Sequence, residues 1–142
     1  MKKTITVIFL FFTFSMFSQS DKLVGEYHLQ LENIDEYLIE YKLTLNQDGT
    51  FIFHSYTSIN KVTQKKVNEY GKGKWKVDDK IVSFYVDIKN DFIGKYSLDF
   101  NKSKARLIIK SPRDKSDRII KTRLKFFESE TFWIKGIDMY KI

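Results

Sequence analysis

From Ile39 to Leu45 the chain alternates: Ile39, Tyr41, Leu43 and Leu45 fall on one phase, and Glu40, Lys42 and Thr44 on the other. A period of two sends successive side chains to opposite faces of a pleated strand, so this segment predicts a strand with one buried and one wet face. Asn46, Gln47, Asp48 and Gly49 follow, and Asp and Gly tolerate the left-handed backbone of a tight turn. Thr50 to Tyr56 is then the returning arm of a hairpin.

The same rhythm recurs downstream. Gly73, Trp75 and Val77 alternate with Lys72, Lys74 and Lys76, Asp78 and Asp79 supply a turn, and Val82, Phe84 and Val86 continue on the next strand. Further arms are expected at Lys95–Phe100, Arg106–Lys110, Ile120–Phe126, Thr131–Ile134 and Asp138–Ile142, with Leu23–Leu31 opening the domain. Proline occurs once, at Pro112. Short strands at regular spacing predict an all-β fold, an antiparallel up-and-down barrel of about eight strands. Single helical turns at Glu32–Tyr37 and Asn60–Asn68 are the only other expected helix, and Ile59–Asn68 is the one long polar connection.

Ahead of this pattern, Lys2 and Lys3 precede an apolar run from Ile5 to Phe17, the layout of an export signal. The run is shorter than the roughly 20 apolar residues that span a bilayer. Ser18 and Ser20 give a small-residue cleavage site, so residues 1–20 are expected to be removed and 21–142 to form one domain without a transmembrane segment. Removing 20 of the 142 residues leaves 122 and lowers the formal charge from +7 to +5. The chain contains no cysteine, so neither a disulfide nor a lipid-bearing Cys is available, and stability rests on the core. The expected location is the periplasm or beyond.

Three groups of residues, Leu23-Val24-Gly25-Glu26-Tyr27, Leu43 to Phe51 around Asp48-Gly49-Thr50, and Gly71 to Val77 around Trp75, together with the closing Tyr140-Lys141, carry a resemblance. The sequence resembles the small secreted lipocalin-like (calycin-type) domains of Gram-negative bacteria, with Tyr27 where those domains more usually have Trp. The resemblance implies an eight-stranded barrel whose interior or open end holds a small apolar ligand. The chain also looks like the barrel of envelope copper-resistance lipoproteins, but their Cys pair is missing, so metal-linked chemistry does not carry over.

Read from the residues, catalysis finds no support. No nucleophile elbow is present, and Asp78 with Asp79 is turn chemistry, so no catalytic residue and no cofactor is expected. His28 and His54, the only imidazoles, fall on the polar phase, and no thiol joins them, so no metal site is expected. Gly71 and Gly73 lie in a strand pattern without a following helix and form no phosphate loop. Tyr41, Phe53, Trp75, Phe84 and Tyr96 fall on the apolar phase and are the expected lining of a ligand site at the barrel mouth.

Charge is unevenly placed. Residues 21–50 hold two lysines against seven carboxylates, whereas residues 102–125 hold ten cations against two carboxylates. The second segment is the candidate outer surface for an anionic partner, giving the alternative expectation of an envelope interaction protein. Barrel closure would instead set acidic Glu26 opposite Arg123 or Lys125 and cancel part of that charge. Inward-facing aromatics and export argue against nucleic acid as the partner.

Overall fold

The computed structural model describes residues 20–33, 36–59 and 65–142. The expected export signal therefore lies outside the described residues except for Ser20, as does the middle of the long connection at 60–64.

Eight antiparallel strands close on themselves in sequence order: β1 Gly25–Asn33, β2 Tyr37–Leu45, β3 Thr50–Ile59, β4 Lys65–Asp78, β5 Ile81–Tyr85, β6 Lys104–Ile108, β7 Arg123–Glu128 and β8 Asp138–Lys141. This is the expected up-and-down barrel. The β2–β3 turn forms as its residues dictate. Gly49 takes φ +86°, and the Asp48 carboxylate accepts from Thr50 N at 2.9 Å and Thr50 Oγ1 at 2.6 Å. Those hydrogen bonds, the hydroxyl's first, hold the Asp48 carboxyl below its ordinary value.

Strand length is sharply uneven, and this shapes the molecule. β1 to β4 run 9, 9, 10 and 14 residues, whereas β5 to β8 run only 5, 5, 6 and 4. At one end the start of the first strand meets the end of the last. There the carbonyl of Lys22 accepts a hydrogen bond from Lys141 Nζ at 2.8 Å, and Tyr27 OH donates to Leu23 O at 2.7 Å. We call this the latched end. At the other end β1 to β4 outrun their neighbours: β8 faces β1 only at Tyr27 and His28, and β5 faces β4 only from Lys74 to Asp78. A four-stranded sheet thus overhangs the barrel body at the open end.

Two expected arms are not strands. At Lys95–Phe100 the backbone makes one isolated parallel bridge, Tyr70 with Tyr96, and Ser97 N and Leu98 N both donate to Tyr70 O. The segment crosses over Gly71 and drives the Phe100 ring into the core; a Cβ on Gly71 would stand 3.0 Å from that ring. Thr131–Ile134 is a turn, closed by Ile134 N donating to Thr131 O, that carries Trp133 and Ile134 against the core. Of the expected helical turns, Glu32, Asn33, Tyr37 and Lys65–Asn68 are strand instead; the described helix downstream is Ile88–Asp91, capped by the Asp87 carboxylate on Lys89 N.

The barrel interior is filled. Phe51, Phe53, Phe84, Phe100 and Phe126 are all fully buried and touch ring to ring at centroid distances of 4.8–5.9 Å, from the Phe53–Phe100 pair to Phe84–Phe100. Gly73 makes room for this stack, since a Cβ there would stand 3.0 Å from the Phe51 ring, and for the β5 backbone, whose Tyr85 carbonyl oxygen would lie 2.2 Å from it.

Candidate functional site

The overhang brings inward-facing residues of four strands into register. Leu29 faces Tyr41, Tyr41 faces Ser55 and Ser55 faces Glu69, forming the row nearest the barrel body. Beyond it Leu31, Ile39, Thr57 and Val67 form a second row, and Asn33, Tyr37, Ile59 and Lys65 a third. Cross-strand partners share a face, so these three rows pave one concave surface. Its floor is buried, with Tyr41 at 6% and Ser55 at 3% exposure, while Leu31, Tyr37 and Ile59 above are exposed at 40–48%. The short strands β5 to β8 do not reach high enough to cover them.

The Trp133 indole closes the bottom of this groove. It stacks on Tyr41 at 5.3 Å with an interplanar angle of 24° and lies 6.1 Å from Phe53. Below it lie the fully buried, mutually touching Phe rings. The groove is therefore an apolar trough with an aromatic floor, open to water along its upper rows.

Two charges line it, exposed Lys65 in the top row and Glu69 in the lowest. Glu69 is half-buried beside Ser55 and has no ion-pair partner among the described residues. Burial first, and then the negative charge of Glu69, push the Tyr41 phenol above its ordinary value. The floor thus offers a phenol donor, a hydroxyl and a carboxylate acceptor beside the apolar side chains of Leu29, Leu31, Ile39 and Val67. Such a site favours a chain with a neutral or cationic head and disfavours an anionic one.

The five residues expected to line one mouth do not share one site. Tyr41 forms the floor and Phe53 lies one layer deeper. Phe84 packs within the central stack, at 5.1 Å from Phe51 and 5.4 Å from Phe126. Trp75 stands toward the latched end, its Nε1 donating to Asn46 O at 3.1 Å. Tyr96 is outside the barrel, edge-on to Tyr70 at 6.1 Å, because segment 95–100 crosses over the sheet and does not join it. Trp133, Ile39, Val67 and Glu69 were missed. The alternation of β2 already put Ile39 on the apolar phase, but only the overhang reveals that its neighbours leave it uncovered.

In the expected basic surface at 102–125, four of the ten cations have an acidic partner among the described residues. Lys102 pairs with Glu130 at 3.0 Å, Lys104 with Glu128 at 3.6 Å, Arg118 with Asp114 at 2.9 Å and Arg123 with Asp138 at 3.6 Å. Arg123 thus meets a carboxylate of β8, not Glu26, because β8 lies between β7 and β1. A side cleft of about 450 Å³ runs past Ser83, Tyr85, Asn101 and Lys104. Its polar groups satisfy one another: Asn101 bonds both Val86 N and Val86 O at 2.8 Å, and Ser103 meets Ser129 at 2.8 Å. Among the described residues no three His, Asp or Glu side chains come together as a metal site, and no helix is long and apolar enough to cross a membrane.

Comparison with protein-family models, curated proteins and solved structures finds no match to this chain.

Proposed function

We propose that this chain is an exported, non-enzymatic binding domain of lipocalin-like form that holds a small apolar or amphiphilic molecule in the open-end groove. The observation that carries the reading is the overhang. Four strands extend past the barrel body and present Leu29, Leu31, Ile39 and Val67 on a concave face above a Tyr41–Trp133 stack, with only part of that apolar surface covered. Uncovered apolar surface in a concavity is what a ligand chain would bury, at roughly 25 cal/mol per Å². The lipocalin-like form draws further support from the latched end, where Gly25, Tyr27 and Lys141 meet as the expected first and last strands would.

Trp133 reports on the site directly. Titrating the purified protein with single-chain alcohols, amines and carboxylates of equal length should change indole fluorescence saturably, and Ile39→Glu should abolish the change. Absence of a saturable response across the panel would overturn the reading.

A further inference from the structure

The outward phase of β4 reads Lys66, Asn68, Tyr70, Lys72, Lys74, Lys76. Side chains on one face of a strand repeat about every 7 Å, so Lys72, Lys74 and Lys76 set three ammonium groups in a line about 13 Å long. Tyr70 interrupts the row in sequence but not in charge. Lys95, brought in by the crossing segment, sits over the Tyr70 ring at 4.2 Å. The line of cations therefore continues from Lys76 through Lys95 toward Lys66.

These cations are held but not neutralised. Lys72 lies over the Tyr96 ring at 4.9 Å and Lys76 over Tyr85 at 5.5 Å, contacts that orient an ammonium while leaving its charge available. None of Lys66, Lys72, Lys74, Lys76 or Lys95 is in an ion pair among the described residues. The flanking outward residues are uncharged or imidazole: Ile52, His54 and Tyr56 on β3, Ser83 and Tyr85 on β5. No carboxylate belongs to this face of the three strands until Asp78; at its edge the Asp48 carboxylate of the β2–β3 turn accepts from the hydroxyl of Thr50, the residue opposite Lys74. On β6 and β7, by contrast, Lys104 and Arg123 have acidic partners beside Arg106 and Lys125, which are unpaired among the described residues, so the row on β4 is the longer uninterrupted one.

We propose that the outer face of β4 binds a linear acidic polysaccharide lying along the strand. Charge complementarity selects a polyanion, since a row of unpaired cations with no interleaved carboxylate attracts repeated negative charge. The cations lie in a line on the convex outside of a barrel, which follows an extended chain more closely than it meets a flat membrane. The aromatic rings do not favour nucleic acid. His54 stacks on Tyr70 at 4.4 Å with an interplanar angle of 6°, and Lys95 stands over the same ring at 4.2 Å, so the central ring of the row is not free to stack on a base.

The test is binding of the purified protein to immobilised heparin and to polygalacturonate as a function of salt. The lysine triple variant Lys72→Gln, Lys74→Gln, Lys76→Gln is compared with a control of equal charge change elsewhere, Lys110→Gln, Lys121→Gln, Lys125→Gln. Wild type should bind, with affinity falling steeply as salt rises. The β4 variant should lose about tenfold in affinity and show a shallower salt slope, while the control keeps most of the binding. Equal losses in both variants would reduce the effect to net charge and overturn the assignment to β4. Preference for anionic vesicles or single-stranded DNA over both polysaccharides would overturn the assigned partner. No binding by wild type at low salt would overturn the proposal outright. Circular dichroism and thermal melts of each variant verify that the barrel is intact, and the salt dependence of wild type stands independently of any variant.

Discussion

Lys141 Nζ lies 2.8 Å from the carbonyl oxygen of Lys22, joining residues 119 positions apart in the chain. The contact closes the barrel where closure is weakest, because β1 and β8 face each other at only two residue pairs. Gly25 sits beneath the lysine stem at φ +141°, and a Cβ there would stand 2.9 Å from Lys141 Cε. Beside it Ile142 N donates to Glu26 O at 2.9 Å, so this side chain over a glycine reinforces a short backbone ladder between the first and last strands.

Removing the ammonium while keeping the stem, with Lys141→Met, should cost about 1 kcal/mol. Urea unfolding should show a lower midpoint with an unchanged slope. Gly25→Ala should cost more, because it adds a left-handed backbone strain to the clash.

Gly73 and Gly71 make opposite demands on a methyl group. At Gly73 the obstacle is the Tyr85 backbone carbonyl at 2.2 Å, which cannot move without breaking the β4–β5 ladder. At Gly71 it is mainly the edge of the Phe100 ring at 3.0 Å, with Leu98 Cβ at 3.2 Å. Gly73→Ala should destabilise by about 3 kcal/mol or more and Gly71→Ala by about 1 kcal/mol. Thermal unfolding of the two variants checks the order.

Alkaline pH should weaken the fold through Tyr27. Burial pushes its phenol well above the ordinary value of 10.0. Between that value and the folded one the native state keeps a proton that the unfolded chain has lost, so stability is full below pH 10.0 and falls as pH rises. Tyr41, raised by burial and by Glu69, adds to the same slope. Tyr27→Phe should flatten it, measured as unfolding midpoints across this pH range, at a cost near neutrality of about 1 kcal/mol for the lost hydrogen bond to Leu23 O.

Glu69 should set head-group preference in the groove. An amine or alcohol should bind more tightly than a carboxylate of the same chain length. Glu69→Gln should narrow that difference by about tenfold, since one unpaired, partly buried charge is worth about 1.4 kcal/mol or more against a like charge. Competition titrations followed by Trp133 fluorescence measure it.

The alternation at 39–45, the Asp48-Gly49 turn and the swing at 72–77 were legible because each depends only on neighbours in sequence. Lys95–Phe100 was not. It shares the period of a strand, and its Phe100 does point inward, but alternation reports which face is buried and not whether a ladder forms beside it. Trp133 and Ile134 carry no period at all, and their burial depends on a turn that tucks under β1 to β4. The five expected lining residues were chosen by phase alone, which cannot separate Trp75 at the latched end from Tyr41 at the open one. Height along the barrel follows from strand length, and β4 reaches Lys65 only through its partnership with β3. Charge sums over 102–125 share this limit in part: they count cations without the carboxylates that pairing of β6 with β7 and β7 with β8 sets beside Lys104 and Arg123.

The groove itself is tested most directly by NMR of the isotope-labelled protein with a single-chain amine bound. Intermolecular contacts should run from the ligand chain to the methyl groups of Leu31, Ile39 and Val67 and to the Trp133 ring. Contacts confined to the barrel's outer face or to its latched end, or none at saturating ligand, would contradict the account.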